Sequence, residues 1–373
     1  NLKSPSNSAE YVVITIQDFT ANEHLLNFKN FWESRGINTK IIALQNIFDE
    51  FNHGIRSAQA IRDFLQYAYN NWNYPQLSHV LLLGDGITDE RDDSSNRPYN
   101  LIPFKNIWES GRGVVPSDNW FGCIVGDDYV PDISISRINI WNESQIEGVV
   151  NKTIHHVNNP NYDDLWHSKI IMAAGGKPSE GIYFAEQSER VIDEMIPPEF
   201  SVKRIYCNTN GLPSGYAGNT LSLLNSINNG ASYVQFLGHG SGYVWADYNL
   251  LNFNDIVTLN NVNYPFVASL SCNGSSFNQP QSTSIGEKLI ITPEKGAIAH
   301  FGFTGYGYKS QNEFFSKMLT ESIFQSNLQS VGKMVDLTKA KFYSAYGSES
   351  FATKAFVDAG ALFGDPMVPI IRP

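Results

Sequence analysis

Two kinds of apolar spacing alternate along the chain. Short continuous runs such as "YVVITI" (11–16), "TKIIAL" (39–44) and "HVLLLGDG" (79–86) are bounded by turn residues and read as buried strands. Between them lie longer stretches with apolar positions at helical spacing. "HLLNFKNFWESRG" predicts a helix stopping at Gly36, and a second helix is expected near "IRSAQAIRDFLQYAYNNW". A second series follows the polar stretch "HHVNNPNYDDLWH", which reads as a linker in which His155 and His156 are exposed. It comprises "KIIMAAGG" (169–176), the helix "IYFAEQSERVIDEM", "SVKRIYC", the helix "NTLSLLNSINNG" ending at Gly230, "SYVQFLG" and "PFVASLSC" (265–272). "GAIAHFGF" (296–303) and three closing helices complete it, with His300 expected to serve packing. Strand and helix in alternation predict a parallel α/β sheet with helices on both faces. The expected division is an N-terminal α/β subdomain over 1–160 and a C-terminal one over 161–373.

Composition narrows the function classes. With 42% hydrophobic and 17% charged residues in 373, the chain has ample material for a core. A net charge of -11 and the lack of any basic run argue against a nucleic-acid partner, whose phosphates need clustered Lys and Arg. No apolar run reaches the roughly 18 residues of a membrane span. An acidic surface rich in Asn and Ser suits a secreted protein or a saline habitat. The opening "NLKSPSNSAE" has neither an initiating Met nor a hydrophobic leader, so the chain reads as a piece of a longer precursor. Cys123, Cys207 and Cys272 lack metal spacing, and at most one pair could bridge.

The chemistry gathers at two strand ends. "SYVQFL" runs into "GHGSG" at His239, and "PFVASLS" runs into Cys272. In a doubly wound sheet such strands are parallel and frequently neighbours, so both residues emerge at the carboxyl edge where these folds bind ligands. A thiol beside an imidazole is a nucleophile with a base, and the N–H groups of Cys272 and Gly240 could hold an oxyanion. Acyl transfer, most simply peptide hydrolysis, needs that set of groups in one place. "GHGSG" departs from the Gly-X-Ser-X-Gly elbow of serine hydrolases because its third position is Gly240, which leaves Ser241 a poor nucleophile candidate. A phosphate loop would need a helix directly after the glycines, whereas "YVWADYN" reads as extended or irregular.

"FLGHGSGYVWADYN" followed by "PFVASLSCNGSSF" resembles the catalytic region of the gingipain family of cysteine endopeptidases, relatives of caspases in fold. The resemblance extends to "HVLLLGDG", "PSDNWFGCIVGDDYVPDISISRI", "GAIAHFGFTGYGY" and "ALFGDPMVPI", from about residue 10 to 371. It implies a three-layer αβα sandwich with mostly parallel sheets and two subdomains, and a secreted or cell-surface enzyme made as a zymogen behind an N-terminal prodomain. Carried over, Cys272 is the nucleophile, His239 the general base and acid, and a polypeptide the substrate. No cofactor is required for the chemistry.

Departures from the family pattern matter. Where relatives carry the acidic residue that orients the histidine, this chain has Ala174; Glu180, further along the same loop, is the expected substitute. Where arginine-specific members carry an Asp at the base of the S1 pocket, this chain has Ala185, so Arg preference is not expected. Tyr306, Tyr308 and Trp245 are the expected cleft lining, suited to an apolar or aromatic side chain. The resemblance also implies structural calcium, for which Asp85, Asp118, Asp127 and Asp128, with Asp132 nearby, are candidate oxygen ligands; a solvated acidic loop is the other reading. Two further functions stay open: a transpeptidase or sortase using the same dyad, and a non-catalytic surface or binding module that keeps the fold.

Overall fold

Both series of apolar runs enter one ten-stranded sheet. The structure, a computed structural model, describes residues 1–88, 101–159, 165–177, 180, 182–246, 250–279 and 283–373. Its strands are β1 (Tyr11–Thr15), β2 (Thr39–Ala43), β3 (His79–Leu83), β4 (Lys105–Glu109), β5 (Gly113–Ser117), β6 (Ser134–Ile138) and β7 (Lys169–Gly175). There follow β8 (Ser201–Tyr206), β9 (Tyr233–Gly238), β10 (Val244–Trp245), β11 (Leu251–Asn252), β12 (Phe266–Leu270), β13 (Ala299–Phe303) and β14 (Gly360–Gly364). The sheet order is β2-β1-β3-β6-β14-β13-β12-β9-β7-β8, with β4–β5 and β10–β11 as separate two-stranded pieces. Every neighbouring pair in the large sheet is parallel except β13 with β14.

Burial follows from this order. The interior strands β1, β3, β9 and β12 are buried along their whole length, which is why they read as unbroken apolar runs: helices cover both faces. At the edge, β8 alternates exposed and half-buried positions over its first four residues. Among the described residues no helix is long and apolar enough to cross a membrane.

The structure corrects several expectations. A helix over Leu44–Asn52 starts directly from the end of β2, where the sequence reads only as the end of a strand. The β4–β5 hairpin, β6 and β14 escape the apolar pattern: β4 and β6 interleave polar residues, and β5 and β14 carry glycine at their ends. The start of the supposed linker is the end of a helix, Ile146–Asn158. His156 is therefore buried, with Nε2 2.9 Å from the Pro369 carbonyl, while His155 is exposed as expected. Residues 160–164 of that stretch lie outside the described residues. His300 is fully buried between the Ser269 and Ser275 hydroxyls, as its strand position predicts.

β14 joins the two halves of the chain. It pairs with β13 antiparallel and with β6 through Phe363 and Arg137, so the last strand lies between strands from either side of residue 160. Just beyond it, the buried Asp365 carboxylate accepts from Tyr11 Oη at 2.8 Å and Trp32 Nε1 at 2.9 Å.

Candidate active site

His239 and Cys272 come to one sheet edge because β9 and β12 are direct parallel neighbours, in register from Tyr233 with Phe266 to Leu237 with Leu270. Close approach explains the glycines around the histidine. A Cβ on Gly238 would lie 2.0 Å from the Gly175 carbonyl oxygen of β7, so only a bare Cα lets the strands stay paired there. A Cβ on Gly240 would meet Ser271 Oγ at 2.7 Å and Ser271 Cβ at 3.0 Å, one residue before Cys272. The histidine loop thus rests directly on the strand end that carries the cysteine. It is held as a tight hairpin: Ala246 N donates to His239 O at 2.7 Å and Ser241 N to Val244 O at 2.9 Å.

The imidazole has a carboxylate partner. His239 Nε2 lies 2.8 Å from Glu180 Oε2, and the ring packs edge-on against Phe184 with centroids 5.3 Å apart. An acceptor at Nε2 holds the proton on that nitrogen and leaves Nδ1 as the basic one. Ala174 sits inside β7, buried and without chemistry, so the carboxylate comes from the loop after the strand. Glu180 also accepts from Lys177 N at 3.0 Å and makes a short contact through Oε1 with Lys309 Nζ.

On the other strand, Cys272 is half-buried and its thiol donates to the Gly307 carbonyl at 3.8 Å. Burial, reinforced by the negative charge of Glu109, pushes this thiol above its ordinary range, so the resting group is a neutral thiol. Among the described residues no hydrogen bond joins Sγ to His239, and neither the Cys272 N–H nor the Gly240 N–H donates to a protein acceptor. Asn273, the next residue, is left-handed at φ 59 and donates its N–H to Gly305 O at 2.8 Å, which turns the chain sharply after the cysteine. Among the described residues no disulfide joins the three cysteines.

The expected cleft lining divides. Tyr306 is exposed and Tyr308 half-buried; both rings lie over Gly111 of the β4–β5 hairpin, flanking the Gly307 that meets the thiol. Trp245 does not line the cleft. It is wholly buried, stacked on Phe236 at 4.9 Å with Nε1 donating to Ser269 Oγ, because β10 turns it inward as the floor of the histidine hairpin. Ala185 is buried too, on the helix Tyr183–Met195, and presents no polar group.

Two residues missed by the sequence reading belong here. Glu109 is fully buried and accepts from Gly111 N, Arg112 N and the Tyr308 hydroxyl, so it fixes the tyrosine wall. Lys309 completes the Glu180 ion pair. No sequence signal could have found either, since the contacts that bring them here, Glu109 with Tyr308 and Lys309 with Glu180, join residues over a hundred positions apart.

The acidic candidates for calcium do not converge. Asp118 is consumed by a buried bidentate pair with Arg137, 2.7 Å on each arm. Asp85 is wholly buried and its Oδ1 accepts from Gly86 N at 2.9 Å. Asp127 is exposed; Asp128 accepts from Val130 N, and Asp132 from Ile124 N and Val125 N, as turn-forming carboxylates do. Among the described residues no three His, Cys, Asp or Glu side chains group closely enough to hold a metal. Among the described residues these carboxylates lie in separate contacts and form no carboxylate-built calcium site.

A mostly parallel αβα sheet that delivers a histidine and a cysteine from adjacent strands to one edge is the caspase-like architecture of cysteine peptidases. The chain matches peptidase family C25 over residues 4–371 and belongs to that family, the gingipain-type cysteine peptidases. It is 23% identical over 254 residues to gingipain R2 of Porphyromonas gingivalis, an alignment covering 67% of this chain and 30% of that protein. The chain thus spans less than a third of the length of that curated relative. Its fold is similar to the crystal structure of the Arg-specific cysteine proteinase gingipain R, with TM-score 0.79 and 20% identity over 97% of this chain and 78% of the other. The complex of Porphyromonas gingivalis RgpB pro- and mature domains gives TM-score 0.74 at 19% identity, covering 97% and 80%.

Proposed function

We propose that this chain is the catalytic domain of a secreted endopeptidase in which Cys272 is the nucleophile, His239 the proton carrier and Glu180 the group that orients it. The observation that carries this reading is the adjacency of β9 and β12, with the Glu180 carboxylate on the far nitrogen of the imidazole. The thiol is neutral at rest, so attack requires base catalysis: Sγ bonds to the peptide carbonyl carbon as its proton moves to His239 Nδ1. The carbonyl oxygen, now negative, takes the free N–H groups of Gly240 and Cys272. Collapse breaks the C–N bond, and the leaving amine takes the proton back from Nδ1, which leaves a thioester on Cys272. Water then attacks the thioester, His239 removes its proton and returns one to the thiolate, and the acid product leaves.

For the residue before the scissile bond we infer an uncharged, apolar or aromatic side chain. The inference is supported by the buried Ala185 and by the phenolic wall of Tyr306 and Tyr308, beside which the Glu109 carboxylate is buried and already accepts from three donors. The fold likeness to a complex of pro- and mature domains supports a prodomain in the precursor.

The test is labelling with a peptidyl chloromethyl ketone carrying an aromatic P1 residue. Mass spectrometry should place the adduct on Cys272, and Cys272→Ala or His239→Ala should abolish both labelling and peptide cleavage. Folded protein whose Cys272 stays unmodified would overturn the enzyme reading, and faster labelling with an Arg P1 probe would overturn the specificity.

A further inference from the structure

The carboxylate beside His239 has an unusual support. It stands on a loop side chain, six positions past Ala174, where no strand pairing holds its direction. A glutamate carries three rotatable bonds, and left alone at a half-exposed site it would sample several rotamers. Two contacts besides the imidazole restrain it: Lys177 N on Oε2 and Lys309 Nζ on Oε1. Lys309 is itself anchored. It opens the helix Lys309–Phe324, its carbonyl accepts from Gln187 Nε2 at 2.9 Å, and its ammonium sits 5.9 Å from the centroid of Phe184, the ring that also packs against His239.

We propose that Lys309 is a positioning residue, which fixes the Glu180 carboxylate on His239 and divides that carboxylate's charge between an ammonium and the imidazole. This rests on the catalytic reading of His239 and Cys272 given above. Its chemistry is simple. When His239 takes the thiol proton, the imidazolium and Lys309 become two cations on one carboxylate, so the ammonium tempers how strongly Glu180 stabilises the protonated ring. Among the described residues, the titratable groups around the imidazole are Glu180 on its loop, Lys309 on the packed helix, Cys272 at the neighbouring strand end and, beyond the thiol, Glu109 on the hairpin.

The test measures the pH dependence of Cys272 inactivation by the chloromethyl ketone, and of peptide cleavage, in the wild-type domain, Lys309→Met, Lys309→Arg and Glu180→Gln. Lys309→Met should move the acid limb upward by about half to one pH unit, the attenuated range expected of a half-exposed charge. Its kcat at the plateau should fall about threefold to tenfold, with KM little changed, as the carboxylate loses its fixed direction. Lys309→Arg should restore the wild-type limb. Glu180→Gln should move the limb downward, and adding Lys309→Met to it should move the limb by less than Lys309→Met does alone, because the ammonium is no longer held beside the ring. A Lys309→Met profile that overlays the wild type, with equal kcat, overturns the inference. So does a loss that appears only as lowered melting temperature with an unmoved limb. If wild-type Cys272 is never labelled, the catalytic reading itself fails, a result separable from failure of the lysine's role.

Discussion

Gly240→Ala probes the point where the two strand ends touch. The added methyl would stand 2.7 Å from Ser271 Oγ, 3.0 Å from Ser271 Cβ and 3.0 Å from the Val244 carbonyl. Ordinary carbon contacts begin near 3.5 Å, so the neighbours must yield by roughly 0.5–0.8 Å. Val244 O belongs to the hairpin itself and moves with it, so relief comes mainly by lifting the histidine loop off β12. That lift carries the Gly240 N–H away from the oxyanion. Losing such a donor outright costs about 3 kcal/mol in the transition state, and a displacement of this size should remove a part of it, about 10-fold to 100-fold in kcat. KM should change little, because the oxygen carries full charge only in the transition state. Overpacking should lower stability by about 1–3 kcal/mol.

The structure also supplies a rescue. Among the described residues Ser271 Oγ is buried without a hydrogen-bond partner, so Ser271→Gly deletes the obstructing atoms without breaking a described bond. The double variant Gly240→Ala/Ser271→Gly should recover most of the lost kcat. Steady-state cleavage of a fluorogenic peptide, chosen from a cleavage-site profile, reads kcat and KM; urea midpoints read stability. A Gly240→Ala enzyme within twofold of wild type in kcat would refute the packing argument, and a defect untouched by Ser271→Gly would refute the oxyanion assignment of its cause.

Two further outcomes concern stability. Burial holds the imidazoles of His79, His156 and His300 down at about 3, 4 and 3, while the same groups titrate near 6.5 when unfolded. The unfolded chain therefore takes up protons first as pH falls below 6.5, and each histidine withdraws about 2 kcal/mol by pH 5. Asp358 and Asp365, pushed up to about 6 by burial, act in the opposite sense and return about 1 kcal/mol each, so urea midpoints at pH 7 and pH 5 should show a net loss of a few kcal/mol. Equal or greater stability at pH 5 would contradict this. The buried Lys152 ammonium donates to the carbonyls of Leu289, Ile290, Thr292 and Lys295 at 2.6–3.2 Å, closing the C-terminal end of the helix Ile285–Ile291. Lys152→Met should cost about 3 kcal/mol by denaturant titration while leaving kcat unchanged, because it takes this buried donor away from four carbonyls.

What the sequence determined by itself was the parallel sheet and the pair at its edge. Fully buried strands such as β9 and β12 must read as continuous apolar runs, and the residue ending each run must emerge at the carboxyl edge. His239 and Cys272 were legible for that reason, whereas Glu180, a carboxylate on the loop following β7, was expected only through the family resemblance as a substitute for the acid missing at Ala174. Half-buried and glycine-bounded elements were not. β14 and the β4–β5 hairpin carry too little periodicity to stand out, and the polar surface of the helix Ile146–Asn158 hid a buried His156. Trp245 looked like cleft lining because an aromatic near a catalytic loop can face either way, and only the β10 hairpin turned it inward.

Tertiary structure alone decided which charges meet. Asp118 seemed free to bind a cation until Arg137 claimed it from the middle of the sheet, and Glu109 and Lys309 acquired their places from partners across the chain. A local pattern records which side of an element is buried, since burial repeats with the period of the backbone. An ion pair between distant residues repeats with nothing, and so it is written only in how the finished layers stack.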